Sequence, residues 1–246
     1  MAKDSVFAGE AWEGEPFRFN AAVAEVFPDM LRRSIPGYEA SLEAIGSLAS
    51  RYVTAGSRCY DLGCSLGAAT LAMRQAIRVP GTRLVAVDNS EAMISRCREI
   101  IDAETRARPG EPPVEVVLGD IRDTPVEDAS MVVLNYTLQF LDPADRDALL
   151  ARIARGLRPG GLLVLGEKVV DEDPHMQALL ADLYHEHKRR NDYSALEIAR
   201  KRAALENVLV PETVSAHRKR LESAGFGNIA VWFRYFNFVS IVAIRP

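Results

Sequence analysis

The residues of this chain that could do chemistry begin with Tyr60-Asp61-Leu62-Gly63-Cys64-Ser65-Leu66-Gly67, followed by two aspartates, Asp88 and Asp120. Glycines let a backbone turn sharply and approach a ligand where a Cβ would collide. The spacing is GxxxG, and no GxGxxG occurs anywhere in the chain. That argues against a dinucleotide whose pyrophosphate must sit on a helix N-terminus. Asp88 comes 21 residues past Gly67, directly after Leu84-Val85-Ala86-Val87. An acid at that distance, at the tip of a second strand, is placed to accept from both hydroxyls of a ribose. Asp120 follows Val116-Val117-Leu118-Gly119 at the tip of a third strand. Its carboxylate would take an exocyclic amine while the Ile121 backbone amide donates to the same ring. Each feature has a plainer reading: a tight strand–helix turn, or an aspartate that caps a helix or closes a turn. In register, the three point to a nucleoside ligand without a phosphate.

The elements that must position these residues follow from the apolar pattern. Arg58–Tyr60, Arg83–Val87, Val114–Leu118, Ser130–Asn135 and Leu162–Leu165 read as short strands. Between them Gly67–Ile77, Ser90–Thr105 and Pro143–Leu157 read as helices, with Ser90 as an N-cap and Pro143 in a first turn. Such alternation predicts a parallel, doubly wound sheet with helices on both faces. Ile229–Phe236 and Phe238–Ile244 are joined too closely for a helical crossover, so they should pair antiparallel. The fold class is therefore α/β. A mostly parallel sheet ending in an antiparallel hairpin is the mark of the Rossmann-like class I methyltransferase fold, which binds S-adenosyl-L-methionine. Asn135 then ends the fourth strand beside the methionine end of the ligand, or merely terminates it. Arg158-Pro159-Gly160-Gly161 turns the chain back into the fifth strand. Residues 1–246 form a single domain, with 1–50 as an N-terminal helical extension and 171–210 as a helical insertion overhanging the ligand crevice as a lid, a dimer contact, or both.

Composition bounds the rest. With 30 Lys and Arg against 34 Asp and Glu, the net charge is −4, and direct nucleic-acid binding is not expected. The first ten residues lack the apolar run of a secretory leader, and no stretch is long enough to span a membrane. Cys59, Cys64 and Cys97 form no CxxC pair, which fits a reduced cytoplasmic setting. His185 and His187 point different ways on a helix, and His175 and His217 have no ligand-spaced partner, so no metal is expected. His187-Lys188-Arg189-Arg190 reads as a solvated helix face, or as a charge that attracts an anionic substrate. Trp232, Phe233, Tyr235, Phe236 and Phe238 read as core or dimer-interface residues.

Several stretches together resemble a narrower family. They are Ala24–Met30, Pro36-Gly37-Tyr38, Tyr60–Thr70, Gly119–Asp123, Met131–Asn135, Thr137–Leu141, Lys201-Arg202, Leu205–Val208, Trp232-Phe233 and Phe236–Phe238. From about residue 20 onward the chain is similar to the bacterial carboxy-S-adenosyl-L-methionine synthases. Ser65 stands where most methyltransferase loops have a glycine, in agreement with the Gly-Cys-Ser of that family. The resemblance implies that S-adenosyl-L-methionine and prephenate become carboxy-S-adenosyl-L-methionine and phenylpyruvate. The product would serve wobble-uridine (cmo5U) modification of tRNA by a separate enzyme. An ordinary methyltransferase acting on a small molecule or tRNA, and a non-catalytic carrier of the ligand, are the alternatives.

The same resemblance implies that Tyr38, Gly63, Cys64, Ser65, Asp88, Asn89, Asp120, Ile121, Asn135 and Arg202 contact the S-adenosyl ligand. Arg202 would hold the new carboxylate, since a guanidinium matches a carboxylate as a planar fork. From composition alone, Arg202 reads as one of a solvated basic face with Arg200 and Lys201, and Tyr38 as a packed surface ring. The implied chemistry needs no dedicated base. A sulfonium acidifies its methyl group, and the hydroxide leaving prephenate as it loses carbon dioxide can take that proton. The protein would then supply proximity and exclusion of water. A homodimer is expected.

Overall fold

The computed structural model describes residues 2–8 and 14–246. Met1 and residues 9–13, part of the stretch searched for a secretory leader, lie outside the described residues. The chain starts with helices α1 (Ala21–Ser34) and α2 (Tyr38–Tyr52), and then alternates strand and helix. β1 (Arg58–Leu62), α3 (Ala68–Ala76), β2 (Arg83–Asp88), α4 (Glu91–Ala107) and β3 (Val114–Leu118) form the first half. β4 (Ala129–Asn135), α5 (Pro143–Gly156) and β5 (Leu157–Val170) follow, with a 3-10 turn at Leu138–Phe140. Next come α6 (Pro174–Arg190), α7 (Ala195–Leu205), the short β6 (Glu212–Thr213) and α8 (Val214–Ser223). β7 (Ile229–Tyr235) and β8 (Phe238–Ile244) close the chain.

The sheet order is β3-β2-β1-β4-β5-β8-β7, with β6 beside β5. β1 to β5 are parallel, whereas β8 runs antiparallel to both β5 and β7. This is the expected parallel sheet with its antiparallel end. β4 lies at the centre, with Met131, Val132, Val133 and Leu134 fully buried between two helical layers. Leu84, Met131, Val133 and Val164 pack toward α2 and α3, while Val87, Val132, Leu163 and Leu165 pack toward α5 and α8. Each such buried side chain contributes about 1.5–3 kcal/mol.

Two strands differ from expectation in ways that matter for the site. The first strand runs on through Asp61 to Leu62, so Asp61 is buried in the sheet and not in the loop. Both termini of the fifth strand extend well beyond Leu162–Leu165. At the start, Arg158-Pro159-Gly160-Gly161 is part of the strand, with Gly160 at φ 76. At the end, pairing with β8 continues to Lys168 and pairing with β6 to Val170. The apolar pattern ends at Leu165, where a glycine and two charged residues follow, yet the partner strands satisfy that backbone. Among the described residues, no helix is long and apolar enough to cross a membrane.

Candidate active site

The sheet order lays the chemistry out along one edge. Asp120 lies just past β3, Asp88 ends β2, the glycine loop leaves β1, Asn135 ends β4, and Lys168 is near the end of β5. Strands are about 4.8 Å apart, so this row spans about 19 Å. A cavity of about 820 Å³ runs along it. Tyr38, Gly63, Cys64, Ser65, Asp88, Asn89, Asp120, Ile121, Asn135 and Arg202 all line that cavity.

Within the loop, Gly63, Ser65 and Gly67 all adopt left-handed backbone, at φ 83, 49 and 84. Glycine takes that conformation freely and serine seldom does, so Ser65 keeps the geometry of the glycine it replaces. At Gly63 a Cβ would lie 2.3 Å from Thr137 Cγ2, so the loop has room only for glycine there. The Ser65 amide donates to Asp88 Oδ2 at 2.9 Å, and the Ser90 amide donates to Oδ1 at 2.9 Å. Asp88 is therefore fixed in place by backbone, and its carboxylate still has acceptor capacity for a ligand hydroxyl. Behind the loop, Asp61 Oδ2 accepts from Thr70 N (2.9 Å) and Thr70 Oγ1 (2.6 Å), which holds the first turn of α3.

Burial pushes the Asp61 carboxyl up to about 6, and the neighbouring Asp88 charge adds to the rise. Asp88 is likewise raised by burial, against the hydrogen bonds from Ser90, Ser65 and Asn89. Among the described residues neither acid has a cationic partner. Two desolvated carboxylates beside a cavity favour a cationic ligand, which suits a sulfonium bearing an α-ammonium group. Asp120 differs: Arg122 donates to it through Nε (3.1 Å) and Nη2 (2.7 Å) and holds its carboxyl below the usual range. Arg122 is itself shared with Asp145 at 2.8 Å. Ile121 is buried beside it.

On the other side of the loop, Asn135 packs so close to β5 that a Cβ on Gly166 would lie 2.7 Å from its Oδ1. Tyr38 opens α2 after left-handed Gly37, its ring 6.4 Å from that of Tyr136, and burial raises its hydroxyl. Arg202 stands in the last turn of α7, exposed yet lining the cavity. Among the described residues its guanidinium forms no hydrogen bond or ion pair.

The structure brings further cations to the cavity. Lys168, His185 and Lys188 line the same cavity. Of the two readings of the run from His187 to Arg190, the uniformly solvated face fails at Lys188, which is only 5 % exposed, whereas Arg190 is solvated. Lys188 lies one helical turn after Tyr184, so both turn inward together. Lys201 is also buried rather than solvated. It donates to Ser34 Oγ at 2.9 Å and lies 3.7 Å from Asp4, and burial lowers it to about 8. Arg200 is tied to the Phe7 carbonyl. The neighbouring basic residues on α7 thus have three different surroundings. Helical spacing from Tyr184 was the signal available for Lys188; nothing marked Lys168.

Of the terminal aromatics, Phe238 is buried, while Trp232, Phe233 and Phe236 are half-buried and Tyr235 is exposed. His217 is fully buried and burial lowers it to about 4. All three cysteines are free and buried. Among the described residues, no three His, Cys, Asp or Glu are grouped to hold a metal ion.

Comparison with known proteins places this geometry. A family model described as a methyltransferase domain matches residues 60–161. Among solved structures, human N-acetylserotonin methyltransferase superposes with a TM-score of 0.61 at 18 % identity, covering 92 % of this chain and 55 % of that one. The S-adenosylmethionine-dependent methyltransferase SibL gives a TM-score of 0.61 at 15 % identity, over 92 % of this chain and 61 % of its own. At such identities the likeness is one of fold: this is a class I methyltransferase fold. A carboxy-S-adenosyl-L-methionine synthase of Yersinia enterocolitica is 54 % identical over 243 residues, covering 99 % of this chain and 90 % of its own length. That of Aliivibrio fischeri is 52 % identical over 242 residues, 98 % of each chain. With identity of this order spread over nearly its whole length, the chain belongs to the carboxy-S-adenosyl-L-methionine synthase family.

Proposed function

We propose that the protein is a transferase that converts S-adenosyl-L-methionine and prephenate to carboxy-S-adenosyl-L-methionine and phenylpyruvate. The observation that carries this reading is the placement of Arg202. A guanidinium with no partner among the described residues lines the cavity that also holds the glycine loop and Asp88. Transfer of a methyl group to an acceptor creates no carboxylate for such a cation to meet, whereas carboxylation of the methyl carbon does. Charge-assisted bonds of that kind contribute about 1.5–3 kcal/mol.

In this reading the loop, Asp88 and Asn89 hold the ribose and the loop also passes the methionine portion. Asp120 and Ile121 hold the adenine, and Tyr38 and Asn135 hold the polar end. Bound S-adenosyl-L-methionine supplies a methyl group acidified by its sulfonium. Prephenate supplies the carbon dioxide, and its departing hydroxide takes up one methyl proton as water. No side chain is required as base, so the chain's own task is to hold both substrates together and dry. The helices α6 and α7 contribute residues to the cavity wall and in this reading act as the lid over a single domain.

The product would supply the carboxymethyl group for wobble uridine in tRNA, through a second enzyme, with no nucleic acid bound here. We also place the reaction in the cytoplasm and the chain in a homodimer, supported by the exposed Val231 and Tyr235 on edge strand β7; sedimentation as a monomer at micromolar concentration would count against the dimer. Incubation with both substrates tests the reaction. Phenylpyruvate release that depends on S-adenosyl-L-methionine supports it. Formation of S-adenosylhomocysteine with an added acceptor would support a methyltransferase instead, and retention of ligand without turnover a carrier.

A further inference from the structure

Taking that reaction as the reading, the cavity still holds more positive charge than the new carboxylate needs. The ammonium groups of Lys188 and Lys168 stand 4.5 and 5.0 Å from the centre of the same ring, Tyr184. Lys188 is 5 % exposed, and Lys168 is half-buried on β5. Among the described residues neither ammonium lies within ion-pair distance of a carboxylate. Lys201, the other buried lysine, has Asp4. Burying an unpaired ammonium is costly, and a face-on ring repays only part of it. The two lysines are thus held against a cavity wall in a state that an anion would relieve.

The electrostatics agree with the geometry. Burial lowers Lys188 well below the ordinary lysine value, with Lys201 and Lys168 adding to the effect. Burial and Arg202 lower Lys168, and burial with Lys188, Arg202 and Lys168 lowers His185. These cations therefore share one field. Asp61 and Asp88, across the loop, make the other end of the cavity acidic. The site is polarised along the strand row, acid beside β1 and β2 and base beside β5 and α6.

We propose that Lys168 and Lys188, both held against the Tyr184 ring, bind the carboxylates of the second substrate, and so select a dicarboxylate. Arg202 is left for the carboxylate formed on the cofactor. One lysine would meet each carboxylate of a dianion; a monocarboxylate would leave one ammonium buried and unrelieved. The site therefore holds prephenate and releases phenylpyruvate, which carries one carboxylate fewer.

The test uses Lys168→Met and Lys188→Met, which keep most of the unbranched side chain and remove the charge. Because a buried charge is removed, both variants should melt no lower than the parent protein. Each should raise KM for prephenate by about ten- to hundredfold, with kcat changed far less and S-adenosyl-L-methionine affinity, by calorimetry, within about twofold. Lys188→Arg should recover part of the loss. Phenylsuccinate, a stable aryl dicarboxylate, should bind the complex of the parent protein with S-adenosyl-L-methionine and not those of the two Met variants. Folded variants with the parent KM and parent phenylsuccinate affinity would overturn the assignment. The phenylsuccinate measurement does not depend on turnover. If the parent enzyme leaves prephenate unchanged but still binds phenylsuccinate through the lysines, the reaction is wrong and the dicarboxylate site stands.

Discussion

Arg202 and Asp61 illustrate two ways in which one side chain serves this site. Arg202 acts by being unpaired, so its effect should appear only when the ligand carries the additional carboxylate on the former methyl carbon. Arg202→Ala is expected to weaken carboxy-S-adenosyl-L-methionine by about ten- to hundredfold and S-adenosyl-L-methionine by little; calorimetry with both ligands measures the difference. Asp61 acts through its burial. Its carboxyl is raised from 3.8 to about 6 in the folded protein. A raised acid favours folding most when protonated in both states, below about pH 4, and that advantage is lost as pH rises through 6. The loss is about 3 kcal/mol. Urea unfolding at several pH values should show this component between pH 4 and 6 in the parent protein and not in Asp61→Asn, whose amide oxygen can still accept from Thr70. The ribose acid, the loop and the adenine acid were legible in sequence because each follows an apolar strand at a fixed spacing. Lys168 was not, because a lysine inside a strand has no local signature; only the extension of β5 and the descent of α6 bring it to the cavity.

At the scale of elements, the loop after β1 and helix α7 carry most of the function. The loop's left-handed residues are not equivalent. Gly63→Ala places a methyl group 2.3 Å from Thr137 on left-handed backbone, and S-adenosyl-L-methionine binding should fall by at least about tenfold. Ser65→Gly relaxes a strained residue and should bind the ligand nearly as the parent does; an equal loss in both variants would contradict this account of the loop. Helix α7 presents Arg202 from its last turn and is started by a capping box, in which Ser194 and Glu197 cap each other's backbone. Ser194→Ala should cost about 1 kcal/mol locally. Amide exchange would show α7 opening more readily while β4 keeps its protection. Core strands and the terminal hairpin could be read from period and spacing, since their apolar runs are local. The ends of β5 could not, because its last residues are held by β6 and β8, whose partnership is fixed only by the whole fold.

Across the whole molecule, the cavity sets two groups of charge apart: Asp61 and Asp88 near β1 and β2, and Lys168, Lys188 and Arg202 near β5, α6 and α7. That arrangement suits a cationic cofactor and an anionic partner placed end to end, with the new carboxylate appearing where they meet. The net charge of −4 conceals this separation, which is why composition revealed nothing of a basic wall. The measurement that tests the account most directly uses prephenate carrying carbon-13 in its ring carboxyl, incubated with the protein and S-adenosyl-L-methionine. The account predicts that the label leaves prephenate and reappears in the carboxyl group of carboxy-S-adenosyl-L-methionine, one label for each phenylpyruvate released. Label found only as free carbonate, with the S-adenosyl ligand unaltered or converted to S-adenosylhomocysteine, would contradict it.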